Sequence, residues 1–98
     1  MKLIIQKYGG TSVGSSSRIL KVAHRVKKWY QCNYDLVIVT SAMSGETNKL
    51  LSLLNEVSTN NKKWPRELDQ VLSSGEQIAA GLLATCLNEI GVPSVSYA

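Results

Sequence analysis

Two short runs of consecutive apolar residues, Leu3-Ile4-Ile5 and Leu36-Val37-Ile38-Val39, constrain the fold of this chain more than any other feature. Each is rich in β-branched side chains, and each gives way to small residues, Gly9-Gly10 after the first and Ser41 to Gly45 after the second. A strand with one wet face alternates apolar and polar residues, so an unbroken run reads as a strand buried on both faces. Between the two runs, Ile19, Val22, Ala23, Val26 and Tyr30 form one apolar stripe at helical spacing. Ser15-Ser16-Ser17 offers N-caps, and Asn33 is a stop. The pattern predicts a helix from about Arg18 to Tyr30 joining two parallel strands, because a parallel pair needs a long crossover.

The second half extends the alternation. Thr47 begins a predicted helix with Leu50, Leu51, Leu54 and Val57 on one side, and Ser58 to Pro65 is a polar surface connection. Arg66 to Leu72 has helical spacing at Leu68, Val71 and Leu72, and Ser73-Ser74-Gly75 interrupts it. A longer helix is predicted from about Glu76 to Ile90, with Ile78, Leu82, Leu83, Cys86, Leu87 and Ile90 inward. Gly91 is placed for a left-handed C-cap, and Pro93 prevents continuation. Ser94 to Tyr97 alternates and is expected to open a third strand. The order β-α-β-α-α-α-β belongs to the α/β class, with a parallel sheet covered by helices on both faces. Few strands and an abrupt end suggest the N-terminal portion of a larger α/β domain.

The 98 residues, 44% hydrophobic and 18% charged, have globular composition. A compact chain of this length has a radius of gyration of about 13 Å. No apolar run approaches the ~20 residues of a membrane span, and the N-terminal apolar stretch is too short for a signal peptide, so a cytoplasmic location is expected. Cys32 and Cys86 are far apart and there is a single histidine, His24, which argues against structural zinc, a disulfide framework or a serine–histidine–aspartate triad. The net charge is +4, unevenly spread: the first 34 residues hold seven cations and no acid. That imbalance suits an anionic partner, although Arg18 to Lys28 also reads as a solvated basic helix face. Nucleic acid is disfavoured, since no aromatic residues interleave the cluster at stacking spacing.

Ligands of open parallel sheets bind beyond the carboxyl ends of the strands. The loops Lys7-Tyr8-Gly9-Gly10-Thr11-Ser12-Val13-Gly14 and Thr40-Ser41-Ala42-Met43-Ser44-Gly45 lie there. Glycine lets backbone N–H groups approach an anion, a lysine adds a mobile charge, and Thr11, Ser12 and Ser41 add hydroxyl donors. The pattern is neither a P-loop, whose lysine follows the glycines, nor a dinucleotide fingerprint. Gly9-Gly10 reads equally as a phosphate cradle or as a plain tight turn. Thr47 and Glu76 each have a second reading as first-turn helix residues, an acid there being favoured by the helix dipole.

Three motifs together carry a resemblance. Lys7-Tyr8-Gly9-Gly10-Thr11-Ser12-Val13 resembles the opening signature of the aspartate kinases, with Tyr8 where that family usually has phenylalanine. Val39 to Asn48 is similar to their second signature, and Leu72-Ser73-Ser74-Gly75-Glu76 with Gly81-Leu82-Leu83-Ala84 to their third. The resemblance implies the amino acid kinase fold, a three-layer αβα sandwich with a mainly parallel sheet, of which residues 1–98 would be the N-terminal part. It implies transfer of the ATP γ-phosphoryl group to the β-carboxylate of L-aspartate, giving 4-phospho-L-aspartate, the first step toward lysine, threonine and methionine. Carried over, it gives Lys7 the catalytic role of neutralising phosphate charge. Gly9, Gly10, Ser12 and Ser41, with Lys7, would bind ATP, and Thr47 and Glu76 would hold aspartate. Mg²⁺ would arrive with ATP rather than in a protein metal site.

The same resemblance implies a homo-oligomer with small-molecule substrates and no nucleic-acid or membrane partner. The family's nucleotide-base pocket and C-terminal regulatory ACT domains come from later sequence, so the 98-residue segment is expected not to turn over alone. Two alternatives stand beside this reading: a noncatalytic phosphate- or nucleotide-binding module, and another member of the amino acid kinase family.

Overall fold

A computed structural model describes residues 2–97; Met1 and Ala98, the two ends of the 1–98 segment, lie outside the described residues. Strand β1 (Lys2–Tyr8) is followed by helix α1 (Ser16–Gln31), strand β2 (Tyr34–Thr40), helix α2 (Glu46–Val57), a 3₁₀ turn at Asn61–Lys63 and helix α3 (Pro65–Glu89). β1 and β2 pair in parallel with Ile5 opposite Val37 and Tyr8 opposite Thr40, so both strands end at one rim. The expected β-α-β unit is present.

Local chemistry sets the helix ends. The Ser15 hydroxyl accepts the Arg18 amide at 3.3 Å, capping α1, and Asn33 ends the crossover at φ 66°. Pro65 opens α3, where its missing N–H costs nothing. At the other end Gly91 adopts φ 91°, the Val92 amide reaches back to the Leu87 carbonyl at 2.8 Å and the Gly91 amide to Asn88 at 3.2 Å. That pair of bonds is a Schellman cap, which satisfies carbonyls the helix leaves open.

The core lies between α1, the C-terminal half of α3 and one sheet face. Ile19, Val22, Ala23 and Val26 of α1 are buried against Ala79, Leu83 and Leu87 of α3, with Tyr8, Val13 and Val92 closing the edges. The buried stripe of α3 therefore runs Gly75, Ala79, Leu83, Leu87. Ile78 and Leu82, expected inward, are exposed, and so is Tyr30 of α1. The stripe follows four-residue spacing, and Ile78 and Leu82 lie off it.

Four further expectations are corrected. β2 is not buried on both faces: Val37 and Val39 are 46% and 45% exposed, and Leu3 and Ile5 on β1 are more so. Both helices that touch the sheet lie on one side of it, so the described residues supply two of the three layers. Ser73-Ser74-Gly75 does not interrupt a helix; α3 runs without a break for 25 residues. The Ser73 and Ser74 hydroxyls donate to the carbonyls of Gln70 and Val71 within the helix, at 3.2 and 2.6 Å.

Ser94 to Tyr97 forms no strand. The Asn88 side chain takes both backbone groups of Ser94, donating to its carbonyl at 3.0 Å and accepting its amide at 2.9 Å. Those groups would otherwise have served a sheet ladder. Finally, a 25-residue helix is about 37 Å long, which makes the molecule elongated, 51 × 25 × 18 Å with a radius of gyration of 15.5 Å.

Candidate active site at the carboxyl rim of the sheet

The loops after β1 and β2 meet at the rim. The Ser41 amide donates to the Tyr8 carbonyl at 3.1 Å, extending the ladder one step beyond the strands. Residues 9–14 then fold into successive tight turns, with the Ser12 amide on the Gly9 carbonyl at 3.0 Å and the Gly14 amide on Thr11 at 3.2 Å. The amides of Gly9 and Gly10 donate to no protein acceptor among the described residues. A Cβ on Gly10 would lie 2.8 Å from the Ala42 carbonyl oxygen, so only glycine permits this approach of the two loops.

The third motif arrives on α3. A Cβ on Gly75 would meet the Ala42 methyl at 3.1 Å and Leu50 of α2 at 3.4 Å. Gly10 and Gly75, far apart in sequence, thus converge on Ala42, one at its carbonyl and the other at its methyl. This explains the glycine at position 75: it is a contact surface inside a helix. Glu76 accordingly stands in the middle of α3, and its reading as a first-turn acid is overturned.

Each expected site residue has a definite place. Ser41 is half-buried at the junction of the loops. Thr47 is exposed in the first turn of α2, two residues after Gly45, whose φ of 85° launches that helix. Glu76 is exposed and borders, with Thr40, Ser73 and Gln77, a groove of about 730 Å³ alongside β2. Lys7 is exposed on the sheet face opposite the helices, because its neighbour Tyr8 is buried beneath α1 and side chains alternate along a strand. Gly9, Gly10, Ser41 and Glu76 therefore share one rim, while Lys7 rises from the far face of that rim. Ser12 points elsewhere, into a small cavity beside α1.

Two residues that organise the rim escaped the sequence reading. Ala42 has no polar group to attract notice, although its place between two glycine contacts is decisive. Arg18 was read only as part of a basic face; its Nη1 donates to the Thr11 carbonyl at 2.7 Å and ties α1 to the glycine turns. The signal available was an arginine three residues after a serine cap, within reach of the preceding loop.

Comparison with known proteins identifies the family. The sequence model of the amino acid kinase family matches residues 2–98. The chain belongs to the amino acid kinase family. An aspartate kinase from Pseudomonas fluorescens (strain SBW25) is 56% identical over 97 residues, covering 99% of this chain and 24% of that protein. An aspartokinase from Bacillus sp. (strain MGA3) is 47% identical over 97 residues. The crystal structure of aspartate kinase from Synechocystis superimposes with a TM-score of 0.91 at 45% identity, covering 97% of this chain and 16% of that one. The chain spans about a quarter of the length of the curated relatives it matches. This family membership bears out the expected α/β fold with a parallel sheet. No helix among the described residues is long and apolar enough to cross a membrane.

Proposed function

We propose that this chain is the N-terminal segment of an aspartate kinase that moves the ATP γ-phosphoryl group onto the β-carboxylate of L-aspartate. The observation that carries the reading is the meeting of the three motifs at Ala42, which puts the glycine turn and Glu76 on one rim. Phosphoryl transfer needs positioning and charge stabilisation more than covalent help. The residues at hand fit a polyphosphate: the free amides of Gly9 and Gly10, the Ser41 hydroxyl at the loop junction and the Lys7 ammonium at the rim.

In this reading Lys7 reaches over the rim to neutralise charge that grows on the transferring group. Gly9 and Gly10 donate to phosphate oxygens and Ser41 flanks the nucleotide, whereas Ser12, first expected beside them, faces the cavity along α1. Glu76 accepts hydrogen bonds from the aspartate ammonium, and the Thr47 hydroxyl, one helix away, orients the same substrate. Magnesium would be held by the nucleotide's own oxygens; the described residues contain no group of three or more histidine, cysteine, aspartate or glutamate side chains that could hold a metal ion. Small-molecule substrates, a cytoplasmic location and a homo-oligomeric assembly belong to the same proposal.

The test uses protein expressed from its complete reading frame, with ATP, Mg²⁺ and L-aspartate, trapping acyl phosphate with hydroxylamine. Hydroxamate formation is expected. Lys7→Met should lower kcat by about 100-fold or more, the scale of losing one preorganised charge partner. Glu76→Gln should raise KM for aspartate while leaving KM for ATP unchanged, the signature of a group that binds one substrate only. No hydroxamate from the wild-type protein, or a Glu76→Gln variant impaired for ATP instead, would refute the assignment. ATP binding without transfer would favour the noncatalytic nucleotide-binding module.

A further inference from the structure

Arg18, Lys21 and Arg25 occupy one edge of α1 at i, i+3 and i+7 and, with Tyr8, Ser12 and Val22, line a cavity of about 250 Å³. Their placement works against the helix. Arg18 sits in the first turn, where the helix dipole disfavours a cation, and no acid stands there to compensate. Lys21 and Arg25 are like charges one turn apart, which is destabilising by itself. No acid precedes Asp35 in the sequence, and both ion pairs among the described residues, Lys49–Glu46 and Arg66–Glu67, lie elsewhere. Three cations that repel one another and oppose the dipole, gathered around a concavity, have a common remedy in a bound anion.

We propose that this cavity is a second anion site that takes a compact diphosphate or the diphosphate end of a larger molecule. Arg18 spends one N–H on the Thr11 carbonyl, which fixes its guanidinium against the loop and leaves its other donors for the ligand. Lys21 and Arg25 supply two mobile charges, and the Ser12 hydroxyl adds a donor. Tyr8 gives its proton to Gln6 at 3.0 Å, so its ring serves as wall, with Val22 as the apolar floor. One phosphate group carries about −1.5 to −2 charges near neutral pH; three cations exceed that and suit two joined phosphates. The site is distinct from the proposed transfer centre, since Lys7 projects from the opposite face of the sheet. The inference does not rest on the kinase reading.

The test is a lysine-acylation footprint read by mass spectrometry, on protein from its complete reading frame, with and without inorganic pyrophosphate. Lys21 acylation should slow at least fivefold while Lys28, exposed on the same helix, is unchanged. Arg25 makes no hydrogen bond within the described chain, and Arg25→Gln should cut the Lys21 protection below twofold. Lys7→Met should leave that protection intact, which separates this site from the nucleotide site whatever the fate of the kinase assignment. Replacing pyrophosphate by a single-stranded oligonucleotide should protect Lys21 less. Equal protection of Lys21 and Lys28, tighter protection by the oligonucleotide, no protection at all, or protection indifferent to Arg25→Gln would each overturn the proposal.

Discussion

The two halves of α3 belong to different kinds of structure. From Gly75 onward the helix packs on α1 and the sheet, and Ala79, Leu83 and Leu87 are buried. Before Gly75 it pairs with α2, a helix with no buried residue, and Leu53, Val57 and Trp64 in this region are exposed. One helix thus joins a packed core to an arm with little apolar burial, and Gly75 marks the join. The proposed aspartate ligands stand at that boundary, Glu76 one residue beyond it and Thr47 on the arm. The proposed nucleotide ligands Gly9, Gly10 and Ser41 stand on the core. Under the proposed function, the site would draw one substrate's contacts from the well-buried part of the fold and part of the other's from an element with little apolar burial.

Truncation inside the core should give the largest effect. Leu83→Ala removes a side chain that is 3% exposed and is expected to cost about 2–5 kcal/mol, read from the urea unfolding midpoint. If it costs no more than an arm substitution, the division into core and arm is wrong. Next comes the join itself. Gly75→Val drives a branched side chain toward Ala42 and Leu50 and should cost about 1–3 kcal/mol of overpacking. The same variant should weaken binding of aspartate more than of ATP, if the arm carries the aspartate contacts. Ser15→Ala deletes the cap of α1, for about 1 kcal/mol. Leu53→Ala, on the arm and 56% exposed, should stay within about 0.5 kcal/mol. Hydrogen exchange sharpens the comparison without mutation: amides of α2 should exchange about tenfold or more faster than those of α1, because local opening there disrupts little buried surface.

Much of this was legible in the residues themselves. The β-α-β start, the Ser15 cap, the Asn33 stop and the Gly91 cap each follow from short-range chemistry that any neighbourhood would have to respect. The three motifs were legible through their resemblance to the aspartate kinase signatures, since composition alone left Gly9-Gly10 open between a phosphate cradle and a tight turn. The misreadings share one cause. Ser73-Ser74-Gly75 looks like a helix break because serine and glycine favour turns in isolation; the serine hydroxyls instead bond within the helix, and Ala42 needs a partner without a side chain. Ser94 to Tyr97 looks like a strand until Asn88 takes the backbone of Ser94.

The amino-acid order by itself determined the β-α-β start, the helix caps and the chemical character of the rim, since these depend on residues within a turn or two of one another. Tertiary structure decided that Gly10 and Gly75 meet at the same alanine, that Glu76 lies mid-helix, and that three cations of α1 border one open cavity. Those facts rest on close approach between distant segments, and close approach is set by packing volume, which no local pattern encodes.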